Sequence, residues 1–194
     1  MSEKVLDAIG AAKVIPVLRS STRQAAQSLL ERLIDGGITV VELTATTPEW
    51  PDLLAWARER WPDKTIGAGT VVTAADATAA VERGADFLVS PYAAPAVRER
   101  SAGVLFIEGG LTPTELAASS AHGPAKVFPA HVGGPKYISS VLQILPGARL
   151  IPTGGISLGQ VGDYLQAGAF AVGVGRDLTN ADDVAAALRE ALPR

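Results

Sequence analysis

The sequence predicts an α/β fold, a single (β/α)8 TIM barrel with an extra N-terminal helix, with residues 1–194 forming one domain. Three observations predict it. Short, nearly continuous apolar runs rich in β-branched residues recur along the chain, as in strands buried on both faces of a parallel sheet. Each is followed by an alanine-rich amphipathic stretch. Several of these stretches end in a glycine-bearing turn, such as Asp35-Gly36-Gly37, Arg83-Gly84-Ala85 and Gln166-Ala167-Gly168, where glycine supplies the left-handed conformation past a helix end. The units number eight, the count of a closed barrel, and polar residues gather directly after the runs, at positions that converge on one mouth when a barrel closes. An open, doubly wound sheet is the competing arrangement and would place its site at a switch point between strands.

Taken in order, Ser2–Ala11 reads as the extra helix. Val14–Leu18 is the first strand, ended by Arg19, and a helical pattern runs through Gln24–Ile34. Thr39–Leu43 is the second strand and carries Glu42 within its β-branched run. Thr65–Ala68 leads to Thr70, Phe87–Val89 to Ser90, and Val104–Ile107 to Glu108. The sixth strand, Lys126–Phe128, begins on a lysine. Leu150–Pro152 leads to Thr153 and a glycine pair, and Ala171–Val174 to Gly175. No linker or low-complexity segment interrupts the series.

Composition removes whole classes of chemistry. Of 194 residues 47% are hydrophobic and 19% charged, enough apolar material for one packed core. The chain has no cysteine, which excludes disulfides, thiolate metal sites and a thiol nucleophile. Only two histidines are present, so no metal is expected. A net charge of −3 gives no footprint for nucleic acid. No apolar run approaches the ~18 residues of a membrane span, and the charged start MSEKVLDAIGAAK lacks the pattern of a signal peptide. A cytoplasmic enzyme or binding protein for small molecules is expected.

Of five lysines, four sit beside turns or helix ends and read as solvated. Lys126 lies inside the apolar run Ala125-Lys126-Val127-Phe128. Burying an unpaired ammonium is costly, which favours the neutral amine, the form that attacks a ketone to give an imine. The plain alternative is a strand-edge lysine whose head snorkels to solvent. Glu42, in Val40-Val41-Glu42-Leu43, is the matching acid, able to pass protons when partly desolvated or else satisfied by a core cation. Pro152-Thr153-Gly154-Gly155-Ile156-Ser157 and Gly173-Val174-Gly175-Arg176 follow the last two strands, where barrels commonly hold phosphate on backbone N–H groups. Arg176 adds a charged contact there. Arg19 is a second anion holder or a salt-bridge partner of Glu42. Phe128, Tyr92 and Ile107 look like walls of the site or plain packing, and Thr44, Thr46, Thr47, Thr70 and Ser90 are neutral hydrogen-bond donors at the mouth.

These residues carry a resemblance. The stretches Ile15-Pro16-Val17-Leu18-Arg19, Val41-Glu42-Leu43-Thr44, Gly67-Ala68-Gly69-Thr70-Val71, Leu111-Thr112-Pro113-Thr114-Glu115, Lys126-Val127-Phe128-Pro129-Ala130 and Pro152-Thr153-Gly154-Gly155-Ile156 appear in the order seen in the 2-keto-3-deoxy-6-phosphogluconate and 2-keto-3-deoxy-6-phosphogalactonate aldolases. The chain resembles that family from Lys13 to about Leu178. The resemblance implies a class I lyase on a homotrimeric barrel. It cleaves a 2-keto-4-hydroxy acid, of the 6-phospho-sugar-acid or 4-hydroxy-2-oxoglutarate type, into pyruvate and an aldehyde, without a metal or other cofactor. It implies Lys126 as the imine-forming lysine, Glu42 as the general acid/base, Thr70 near the pyruvyl carboxylate and Arg19 as an anion holder. Thr153, Gly154, Gly155, Gly175 and Arg176 would form the wall that holds the far end of the substrate.

The chain departs from the family pattern at Thr46, Tyr92, Glu108, His131 and Arg176. Thr46 stands where the gluconate branch has arginine, and Glu108 adds a carboxylate at the end of strand five. These departures leave the imine chemistry in place and bear on the aldehyde half. An imine-dependent decarboxylase or dehydratase, and a phosphate-binding barrel without catalysis, are the competing functions.

Overall fold

A computed structural model describes residues 2–101 and 103–192. The strands β1 (Val14–Leu18), β2 (Val40–Thr44), β3 (Thr65–Gly69), β4 (Phe87–Val89), β5 (Leu105–Gly110), β6 (Ala125–Val127), β7 (Leu150–Pro152) and β8 (Val172–Val174) are all parallel and neighbour one another in chain order, with β8 returning to β1. Between β7 and β8 the ring closes through the parallel bridge Thr153–Gly173 and the Phe170 N–H, which donates to Leu150 O at 2.8 Å. The architecture is a (β/α)8 barrel, and the open sheet is ruled out by that closure.

The helices α2 (Arg23–Asp35), α3 (Trp50–Arg60), α4 (Ala74–Glu82), α5 (Pro95–Arg100), α6 (Pro113–Ser120), α7 (Gly134–Ile144) and α8 (Val161–Gln166) each follow one strand; after β8 come α9 (Arg176–Thr179) and α10 (Val184–Ala191). Threonine starts three of them. Thr22, Thr73 and Thr112 accept the N–H groups of Ala25, Asp76 and Glu115, satisfying donors that a helix start leaves unpaired. Thr112 and Glu115 form a reciprocal capping box, so the Leu111–Glu115 stretch serves as the start of α6.

Strand alternation builds two cores. Outward residues such as Val41, Leu43, Val127 and Leu150 pack under the helices. Inward residues Ile15, Val40, Phe87, Ile107 and Ile151 fill the barrel, and α1 (Ser2–Ala12) closes its floor with Val5 and Ile9. The upper end of the barrel interior is left to polar groups. The strands match the sequence expectation within a residue or two, except that β5 runs on through Glu108-Gly109-Gly110, which pair with Ala125-Lys126-Val127. An acid and two glycines carry no apolar signal, which is why the sequence does not announce that extension.

Candidate active site

Glu42 is the second inward residue of β2, and Lys126 is the sole inward residue of β6, flanked by outward Ala125 and Val127. Opposite each other across the barrel interior, Lys126 Nζ and Glu42 Oε1 stand 3.4 Å apart, and both residues are less than 5% exposed. The lysine does not snorkel, and Glu42 pairs with it instead of with Arg19. Breaking such a pair leaves a bare buried charge, at a cost of about 3–5 kcal/mol, so the two hold each other in place. The Phe128 ring, two residues on, lies 5.6 Å from the lysine nitrogen.

Space for the glutamate comes from β3. A Cβ at Gly69 would stand 1.9 Å from Glu42 Oε1, so any side chain there would push the glutamate aside. The next residue, Thr70, has φ +56°, a left-handed conformation that costs a β-branched residue strain and is found at binding sites. It turns the chain at the mouth and faces the same cavity as Glu42.

That cavity has a volume of about 890 Å³, ample for a small sugar acid. Arg19, Glu42, Thr70, Lys126, Phe128, Thr153, Gly154, Gly155, Gly175 and Arg176 all line it, whereas Ser90, Thr46, Tyr92, Glu108 and His131 do not. The structure adds Val17, Pro91, Ser157, Asp177 and Thr179. Gly154 and Gly155 both have positive φ, and Cβ atoms there would stand 2.8 Å from the Phe128 ring and 2.5 Å from the His131 ring. This loop is laid directly on the segment after β6. That segment is pinned from behind by Tyr164, whose hydroxyl donates to Ala130 O at 3.2 Å. Burial pushes the phenol above its ordinary value, keeping it a neutral donor.

His131 does not face the mouth freely. Its backbone N–H donates to Gly154 O and its ring Nδ1 lies 3.3 Å from the same oxygen. Arg176 makes no ion pair with Asp177 or any other described residue. Asp177, which lines the cavity beside Arg176, instead accepts the Leu158 N–H at 3.3 Å. Glu108 points outward, where Arg98 of α5 and the Ala94 N–H satisfy it. Tyr92 is 56% exposed and outside the cavity lining. Ser90 ties Gly109 N–H to Tyr92 O and is a loop fastener. Among the described residues no cluster of three or more histidine, aspartate or glutamate side chains stands ready for a metal ion, and no helix is long and apolar enough to cross a membrane.

A lysine amine beside a carboxylate in the mouth of a (β/α)8 barrel is the equipment of an enzyme that works through an imine. The KDPG and KHG aldolase family model matches residues 5–190. The chain is 33% identical over 171 residues to the probable 2-dehydro-3-deoxy-6-phosphogalactonate aldolase of Rhizobium meliloti, covering 85% of this chain and 81% of that one. It is 34% identical to the 2-dehydro-3-deoxy-phosphogluconate aldolase of Treponema pallidum, over 83% of this chain and 79% of that one. Among solved structures, the KDPG aldolase from Legionella pneumophila with pyruvate captured at low pH as a covalent carbinolamine intermediate superposes with a TM-score of 0.84, at 28% identity, over 97% of this chain and 96% of that one. The chain belongs to the KDPG and KHG aldolase family. It is a class I pyruvate aldolase, a lyase.

Proposed function

We propose that Lys126 is the imine-forming residue and Glu42 the proton carrier of a metal-independent, reversible cleavage of a 2-keto-4-hydroxy acid. The observation that carries this is the buried 3.4 Å contact of the one inward lysine with the one inward carboxylate. The amine adds to the C2 ketone and water leaves, giving a protonated imine. Glu42 takes the C4 hydroxyl proton as the C3–C4 bond breaks, and the bonding pair moves into the imine to form the enamine while the aldehyde departs. The enamine is then protonated at C3 and the imine hydrolysed, releasing pyruvate.

Arg19 and Thr70 stand at the ends of β1 and β3, on either side of Glu42 on β2. We assign them to the pyruvyl carboxylate. Thr153, Gly154, Gly155, Gly175 and Arg176 form the wall for the far end of the substrate, with Phe128 between the two. A phosphate suits the glycine loops. A second reading, a distal carboxylate on Arg176, is favoured by Asp177, whose carboxylate lines the cavity beside Arg176 and repels a dianion more than a monoanion. The family resemblance carries with it a cytoplasmic homotrimer with 1–194 as one domain.

Borohydride reduction in the presence of pyruvate tests the imine. A pyruvyl mass addition confined to Lys126, lost in Lys126→Arg and indifferent to EDTA, is the expected result. No adduct under conditions that label an authentic class I aldolase overturns the assignment. Aldehydes carrying phosphate, carboxylate or no charge, each offered with pyruvate, then separate the two readings of the distal wall.

A further inference from the structure

Arg19 is exposed at the rim, makes no ion pair with a described residue, and lies in a loop where nothing about its own side chain fixes it. The two peptide groups that flank it are fixed from β2. On one side, Leu18 O accepts the Thr44 hydroxyl at 3.1 Å. On the other, the Ser20 N–H donates to Thr47 Oγ1 at 3.3 Å. The two hydroxyls are themselves 3.4 Å apart, and both threonines are essentially buried, at 0% and 2% exposed. The donors run in one direction: Ser20 N–H to Thr47, the Thr47 hydroxyl to Thr44, and the Thr44 hydroxyl to Leu18 O. Each hydroxyl gives one bond and accepts one, so the chain is complete without water. Thr46, exposed beside them, can add a further bond to Thr44 Oγ1 at 3.1 Å.

We infer that Thr44 and Thr47 are positioning residues for Arg19: a hydroxyl bracket that holds the arginine's backbone at the mouth so that its guanidinium is pre-aimed at the substrate carboxylate. This rests on the reading of Arg19 as carboxylate holder. Without the bracket the loop after β1 samples other conformations, and the cost of ordering it falls on substrate binding. Glu42 lies two residues before Thr44, and its position is set by the β1 and β3 ladders and by Gly69, so the bracket acts on binding and leaves the proton chemistry alone.

Exchange of the pyruvate methyl hydrogens with deuterated solvent, followed by proton NMR, reads enamine formation from pyruvate alone and needs no knowledge of the aldehyde. In Thr44→Val and Thr47→Val the KM for pyruvate is expected to rise about fivefold each, the size of one lost neutral hydrogen bond, with kcat for exchange within about twofold of the parent. Thr44→Ser and Thr47→Ser, which keep the hydroxyl, are expected to restore most of the KM. In an Arg19→Ala background, where KM is already raised, Thr47→Val should add nothing further, because its effect passes through the arginine. An unchanged KM in both valine variants, a fall in kcat instead, or a full fivefold effect persisting without Arg19 overturns the bracket. An Arg19→Ala enzyme with parental KM overturns the carboxylate assignment itself, a separate outcome visible in the same experiment.

Discussion

Gly69 of β3 makes the room in which Glu42 meets Lys126 at 3.4 Å inside the barrel. Lys126 and Glu42 were legible in the sequence because a charge inside an apolar run is expensive and so needs a reason. Gly69 was not, since one glycine in Gly67-Ala68-Gly69 reads as a weak strand, and only the 1.9 Å approach of Glu42 shows what its missing side chain does. Thr44 and Thr47 read as hydrogen-bond donors at the mouth, but their partners, Leu18 O and the Ser20 N–H, depend on how the chain after β1 lies on the chain after β2. A glycine that houses the proposed proton carrier yields a direct test. Gly69→Ala is expected to displace Glu42 from Lys126 and lower kcat for aldol cleavage at least about tenfold, the loss typical of a misplaced proton carrier. Pyruvate trapping on Lys126 should persist. An alanine variant with parental kcat would mean that Glu42 works from another position. The distal wall was half legible: the glycine pair announced it, while the Asp177 contact with Leu158 N–H depends on how the turns after β7 and β8 meet.

At the scale of elements, hydrophobic period and glycine punctuation located all eight strands, and the misfits have physical causes. The extension of β5 was hidden because Glu108 reads as a loop acid. In the structure it is 2% exposed and bonded to Arg98 and to the Ala94 N–H that precedes α5. Thus β5 is tied to α5 by a charged contact beneath the mouth and outside it. Arg98→Ala is expected to destabilise the protein by about 2 kcal/mol, less than for a fully buried pair because the arginine is a third exposed. Urea denaturation measures this, and a change within experimental scatter would show that Glu108 finds another partner. A second element offers a pH test. Thr112 N–H, Leu111 N–H and the Thr112 hydroxyl hold Glu115 below its ordinary 4.5. Its cap therefore contributes stability that is present above that value and lost as pH falls through the lower folded one. The stability gap between the parent and Glu115→Gln should be flat near neutrality and shrink in acid. A gap that stays constant to about pH 3 would remove the carboxylate from the account.

For the molecule as a whole, the barrel was the easiest conclusion and its closure the hardest to foresee. Eight strand–helix units predicted a ring, but the β7–β8 seam rests on the Thr153–Gly173 bridge and the Phe170 N–H bond to Leu150 O, which no residue pattern marks. The same two strands carry the proposed distal wall, so the sparsest part of the ladder adjoins the part of the site assigned to the far end of the substrate. Assembly belongs to this scale as well. If the proposed homotrimer forms, light scattering should return three times the 20.0 kDa chain mass at micromolar concentration. A species that stays monomeric there would reject it. The floor of the barrel has a further consequence, one for the order of folding. Helix α1 precedes every strand in the chain, yet the surface that covers Val5 and Ile9 is assembled from Val40, Phe87, Leu105, Ile107 and Ile151, residues spread over more than a hundred positions downstream. During synthesis the helix waits with its apolar face bare until β1, β2 and β5, against which it packs, have left the ribosome. Its docking is therefore a late event that seals the floor, and a chain that stops short of β5 offers α1 only part of its seat.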